Sequence, residues 1–111
     1  MAEFFLYLTT TGRTSGQPRQ IEIWYVEHDG RYYLVSERRE HSGWVKNIER
    51  DPAVYFSIGT REAPQAALPS RPAKARLVHA HAERELAHAV AVRMDEKYGW
   101  SDGLIVELAP S

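Results

Sequence analysis

Gln20-Ile21-Glu22-Ile23-Trp24-Tyr25-Val26-Glu27-His28-Asp29-Gly30-Arg31-Tyr32-Tyr33-Leu34-Val35-Ser36 is the stretch that decides the fold. Ile21, Ile23 and Tyr25 fall on one parity and Glu22, Trp24 and Val26 on the other. Large apolar groups on both parities predict a strand, Gln20 to His28, covered on both faces. Asp29-Gly30 is a two-residue hairpin signal, because both residues accept positive φ. Arg31 to Glu37 is then the return strand, and the bulk of Tyr32, Tyr33, Leu34 and Val35 again predicts burial on both sides.

Outward from this hairpin, Phe4 to Thr11 is aromatic and β-branched and ends at Gly12, which reads as the first strand. Ser42 is placed to cap a short helix over Gly43 to Arg50, with Trp44 and Ile48 on one face. Asp51-Pro52 stops it, since a residue before proline avoids the α region. Ala53 to Ile58 and Ala75 to Ala80 read as strands, separated by a proline-rich loop or broken edge strand over 60–72. Leu86, Val90 and Met94 repeat at four within a helix from Glu83 to Tyr98, ended by Gly99. Leu104 to Leu108 is the last strand. The order predicts a mainly β, α+β domain: a small antiparallel barrel of about six strands. A short helix follows the third strand and a longer one precedes the last. A ferredoxin-like sandwich fits less well, because the strands do not alternate with helices.

The 111 residues suit one domain spanning 1–111. Without cysteine there is no disulfide, thiolate metal site or Cys nucleophile. A net charge of −1 gives no reason to expect nucleic acid as a partner. No apolar run approaches the ~20 residues of a membrane span. The opening Met1-Ala2-Glu3-Phe4-Phe5 lacks the basic and long apolar regions of a leader. A cytoplasmic domain is the expectation.

Two clusters carry candidate chemistry. Thr9-Thr10-Thr11-Gly12-Arg13-Thr14-Ser15-Gly16-Gln17-Pro18-Arg19 joins two strands with hydroxyls, guanidinium groups and accessible backbone. Such a turn can hold an anion, and the same composition also suits a plain hairpin. Ser36-Glu37-Arg38-Arg39-Glu40-His41-Ser42-Gly43-Trp44 links a strand end to a helix N-terminus, a setting that favours anions. It can equally be a solvated loop whose charges compensate. Trp24, Tyr25 and Trp44 could stack on a flat ring or simply fill the core. His79 and His81 alternate on a strand beside Glu83, but no third ligand is marked, so no metal site is expected. Binding groups without an obvious general base suit chemistry supplied by a cofactor.

At these clusters the sequence resembles the deazaflavin-dependent nitroreductases and quinone reductases. They are related to the split-barrel flavin oxidases typified by pyridoxamine phosphate oxidase. Leu8 to Arg19 resembles that family's opening signature. Glu22-Ile23-Trp24-Tyr25, Asp29-Gly30, Tyr33-Leu34-Val35-Ser36, Trp44-Val45-Lys46-Asn47-Ile48 and Asp51-Pro52-Ala53-Val54 continue it in order. The resemblance implies a split β-barrel that binds coenzyme F420 or, in more distant relatives, FMN, and reduces a small acceptor such as a quinone or nitro compound. It implies a phosphate turn at Arg13, Ser15, Gly16 and Arg19, and a ring-edge strand at Trp24 and Tyr25. It also implies a second anionic patch at Ser36, Arg38 and Arg39, a helix signature at Trp44, Lys46 and Asn47, and a homodimer. Tyr98 is a candidate proton donor and an equally good packing residue. The sequence departs from the family at Arg38 to Ser42, where many members have a Gly-Gly step, and at Glu22, where many are uncharged. The amphipathic helix that some members carry before the first strand is expected to be missing.

Overall fold

The computed structural model describes residues 3–111; Met1 and Ala2 of the leader reading lie outside it. Seven strands form one antiparallel sheet: β1 (Phe5–Thr11), β2 (Pro18–Ile23), β3 (Val26–His28), β4 (Arg31–Ser36), β5 (Ala53–Gly59), β6 (Leu68–Val78) and β7 (Leu104–Pro110). Two helices, α1 (Gly43–Arg50) and α2 (Arg84–Tyr98), accompany it. The strand order is β2-β1-β5-β6-β7-β4-β3. The two edge strands, β2 and β3, are separated in sequence only by Trp24 and Tyr25. The sheet must therefore curl until its edges nearly meet, and a single chain segment crosses the gap.

Alternation persists through that crossover. Leu6, Leu8, Leu34, Phe56, Ile58, Ala75, Val106 and Leu108 point inward, joined by Ile21, Ile23, Tyr25 and Tyr32. Val45 and Ile48 of α1 close this interior. The opposite parity of β3, β4, β6 and β7 (Val26, Tyr33, Val35, Val78, Ile105) packs on Ala87, Val90 and Met94 of α2. Burying side chains of this size contributes about 1.5–3 kcal/mol each. The sheet thus has two cores, one enclosed by its curvature and one beneath α2.

The hairpin at Asp29-Gly30 forms as expected, with φ of 51° and 74°. Gly99 ends α2 in the left-handed region. Four expectations need correction. There are seven strands, because Gln20 to His28 exchanges partners at Trp24-Tyr25, pairing first with β1 and then with β4. The outward face of β2 is open, with Gln20 and Glu22 exposed, since α2 reaches only the β3 side. β6 begins at Leu68, inside the stretch read as a loop or broken edge strand. Pro69 and Pro72 are tolerated because β7 pairs with β6 only from Ala73 onward. His79 and His81 lie beyond the end of β6, and no group of metal-ligating side chains forms among the described residues.

Candidate functional site

The first cluster folds into a tight turn between β1 and β2. The Gly12 N–H donates to the Gln17 carbonyl (2.8 Å), and the Gly16 N–H donates to the Gly12 carbonyl (2.8 Å). Gly16 has φ of +72°, a conformation that favours glycine, and a Cβ on Gly12 would crowd Ser15 Oγ (2.7 Å) and the Gln17 carbonyl (3.1 Å). Ser15 Oγ accepts from the Gln17 N–H. Gly12, Arg13, Thr14, Ser15, Arg19 and Asn47 line a cavity of about 330 Å³. Its charged groups are two guanidiniums and no carboxylate, so the donor set suits an anion.

Asn47 ties this turn to α1. Buried on the helix, its Oδ1 accepts from the Arg13 backbone N–H (3.1 Å) and from an Arg13 guanidinium nitrogen (2.9 Å). Its Nδ2 donates to Thr10 Oγ1 (3.0 Å). The same guanidinium nitrogen donates to the Gly43 carbonyl. Asn47 therefore anchors the turn and has no side-chain bond to the Asp51-Pro52 stop.

The second cluster borders a larger cavity, about 460 Å³, at the gap between the sheet edges. Its lining brings together Trp24, Ser36, Arg38 and Trp44 with Phe5, Glu22, Ile23, Val35, Glu37, Ser42, Arg61 and Trp100. All three tryptophans of the chain meet here. Trp44, half-buried on α1, also packs on the interior core. Ser36 Oγ donates to the Arg39 carbonyl and lies 2.7 Å from Ser42 Oγ, so Ser42 donates to Ser36. Ser42 therefore does not cap α1 with its side chain, and the first-turn N–H groups carry no side-chain cap.

The remaining candidates lie elsewhere. Arg39, at a φ of 54°, pairs with Asp102 (2.8 Å) and does not line the large cavity. Lys46 is exposed on α1. Tyr25 turns inward and borders a different cavity with Val26, Glu27, Arg93, Glu96 and Lys97. The Tyr98 hydroxyl donates to the Tyr25 carbonyl (3.0 Å) and accepts from the Tyr25 N–H (3.1 Å). Burial pushes its pKa up to about 12, and its proton is engaged by backbone, which makes it a poor proton donor.

Sequence reasoning missed two groups. Glu22 and Arg61 form an ion pair in the wall of the large cavity, where Glu22 also accepts from the Tyr7 hydroxyl (3.0 Å). The Arg61 hydrogen bond holds the Glu22 carboxyl below the usual range. Glu107 is buried on the outward face of β7. It accepts from Tyr33 (2.8 Å), Arg31 (2.9 Å) and Arg76 (2.9 Å), while Arg76 also grips Glu83. Burial and Glu107 together push the Tyr33 pKa up to about 12. Glu22 was visible in the sequence as an unexpected charge on β2, but its partner Arg61 was not.

A model of the F420H2-dependent quinone reductase family matches residues 1–99. The chain belongs to that family. Three solved structures share the fold of this family member. The heme storage protein HutZ of Vibrio cholerae has a TM-score of 0.75 at 21% identity, covering 96% of this chain and 81% of that one. A protein of Listeria innocua described as a candidate pyridoxamine 5'-phosphate oxidase gives 0.71 at 13%, covering 96% and 83%. An F420H2-dependent reductase gives 0.62 at 21%, covering 94% and 92%. No curated protein matches the chain. The split-barrel fold expected from the sequence is thus found. No described helix is long and apolar enough to cross a membrane.

Proposed function

We propose that this family member is an oxidoreductase that binds F420 along α1 and passes a hydride to a small acceptor such as a quinone or nitro compound. The observation that carries this reading is the pairing of two unlike cavities on one helix. Asn47 and the anchored Arg13 border the carboxylate-free cavity, and Trp44 borders the tryptophan-lined one. A deazaflavin has the matching asymmetry, a flat ring at one end and an anionic tail at the other. Arg13, Arg19 and Ser15 would hold the phosphate, with Gly16 leaving the backbone accessible. Trp24 and Trp44 would flank the ring, while Ser36 and Arg38 would meet further polar groups. When bound, reduced F420 supplies the hydride. The protein's own contribution is binding, orientation and exclusion of water. Arg39, Lys46 and Tyr25 act at most indirectly, through the loop, helix and crossover that carry them.

The feature that favours a homodimer is Tyr55 on β5, a large ring 56% exposed beyond the reach of α2. Arg19→Ala is the clean test of the phosphate turn, since the Arg19 side chain makes no hydrogen bond within the described residues. A charged hydrogen bond contributes ~1.5–3 kcal/mol, so F420 affinity should fall at least tenfold with melting unchanged. Equal affinity in the variant would sink the assignment. Absorption of the loaded protein near ~420 nm, rather than ~450 nm, separates F420 from FMN, whose chromophores differ.

A further inference from the structure

Trp24 and Tyr98 stack with ring centroids 4.3 Å apart and planes 4° from parallel. Trp24 lines the large cavity and Tyr98 does not, so Tyr98 lies behind Trp24 as its backing. The same last turn of α2 grips the crossover by its backbone. Tyr98 bonds both the N–H and the carbonyl of Tyr25, and Lys97 Nζ donates to that carbonyl (2.9 Å) while sitting 3.8 Å over the Tyr25 ring. Trp100 meets Trp24 edge-on at 6.4 Å. The crossover is where the sheet changes edges. Tyr25 and Trp24 sit between β2 and β3 and belong to neither strand, so its placement depends on side chains from α2.

From this geometry we propose that Tyr98 is a positioning residue: it fixes the plane of Trp24, so that a planar ring ligand enters the cavity as the third layer of a preformed aromatic stack. Lys97 acts with it by pinning the crossover. An indole left unbacked samples several rotamers, and a ligand must then order it on binding. A backed indole is already in place, and offset stacking adds attraction beyond burial. This inference deepens the F420 reading and rests on it for the identity of the ring. The immobility of Trp24 is a separate claim about the protein without ligand.

The test uses two measurements. With Trp44 and Trp100 replaced by Phe, Trp24 is the sole emitter, and nanosecond fluorescence depolarisation reads its motion. Tyr98→Leu in that background should release nanosecond motion of the indole, and Tyr98→Phe, which keeps the ring, should not. In the otherwise native chain, F420 titration should show about a tenfold loss for Tyr98→Leu and less than threefold for Tyr98→Phe. Lys97→Met combined with Tyr98→Phe removes three bonds to Tyr25 while keeping the ring. It covers the case in which Tyr98→Leu does not fold, and should weaken F420 about fivefold. Trp24 equally immobile in folded Tyr98→Leu would overturn the proposal. So would unchanged F420 affinity in the folded double variant. If the native chain binds neither F420 nor FMN while Trp24 still loosens in Tyr98→Leu, the F420 reading falls and the positioning role stands.

Discussion

Glu107→Gln isolates the buried charge network on β7. The native carboxylate is 2% exposed and accepts from Tyr33, Arg31 and Arg76. The amide keeps one acceptor oxygen but turns an NH2 toward groups that are themselves donors. Removing one partner of a buried ion pair costs about 3–5 kcal/mol. Here Arg31 and Arg76 are about half exposed, at 51% and 43%, and can rehydrate, which puts the loss near the lower limit, about 3 kcal/mol. For a domain of this length that lowers Tm by roughly 13 °C. Burial alone would raise the Glu107 pKa; the hydrogen bonds of Arg76 and Tyr33 and the charge of Arg76 outweigh it and hold the carboxyl below the usual range. The unfolded chain therefore takes up this proton first, near pH ~4.3. The stabilisation is complete above that pH and declines as acid titrates the folded carboxylate. Urea unfolding of both proteins from pH 7 to pH 3 checks this, with the gap between them narrowing below pH ~4. A variant within about 1 kcal/mol of the parent at pH 7 would refute the reasoning.

Asn47→Ala should cost about 1–3 kcal/mol by urea unfolding, because Thr10 and the Arg13 N–H lose their partner. It should also weaken F420 binding, since Arg13 loses its anchor. Gly103→Ala should destabilise by about 1–3 kcal/mol. Its Cβ would meet the Ser36 carbonyl and come within 2.7 Å of Val35 Cγ1, and thermal melting reads the loss. Sedimentation of the F420-loaded protein at micromolar concentration should give a dimer, and a monomer would count against the exposed Tyr55 end of β5 as an interface.

Local signals were legible where local chemistry decides. Asp29-Gly30 forced a turn, Gly99 ended a helix, and the alternation of Ile21, Ile23 and Tyr25 against Glu22, Trp24 and Val26 holds across the crossover. What that alternation could not disclose is a change of partner, because pairing with β1 or with β4 demands the same period. The prolines at 69 and 72 read as breakers because their cost depends on whether a neighbour needs the missing N–H, a property of the whole sheet. Glu107 sits in an apolar strand, and its partners lie 31, 74 and 76 residues away. The ordered motifs over Leu8 to Arg19 and Ser36 to Asn47 pointed to both cavities. The individual contacts did not follow, because Arg39 and Tyr98 found partners in Asp102 and the Tyr25 backbone, far along the chain.

The position of β7 has a consequence for how the protein is made. It lies between β6 and β4 in the sheet, yet of the sheet's seven strands it leaves the ribosome last. Until then β2-β1-β5-β6 and β4-β3 are two half-sheets, each with an edge awaiting β7, tethered through α1 and through the crossover whose Trp24 later walls the large cavity. Pairing β7 with β4 closes a separation of about seventy residues, a contact whose loop-closure cost slows folding. The nascent chain therefore carries a vacant slot in its middle, and a chain stopped before Leu104 would present two strand edges to whatever else can pair with them.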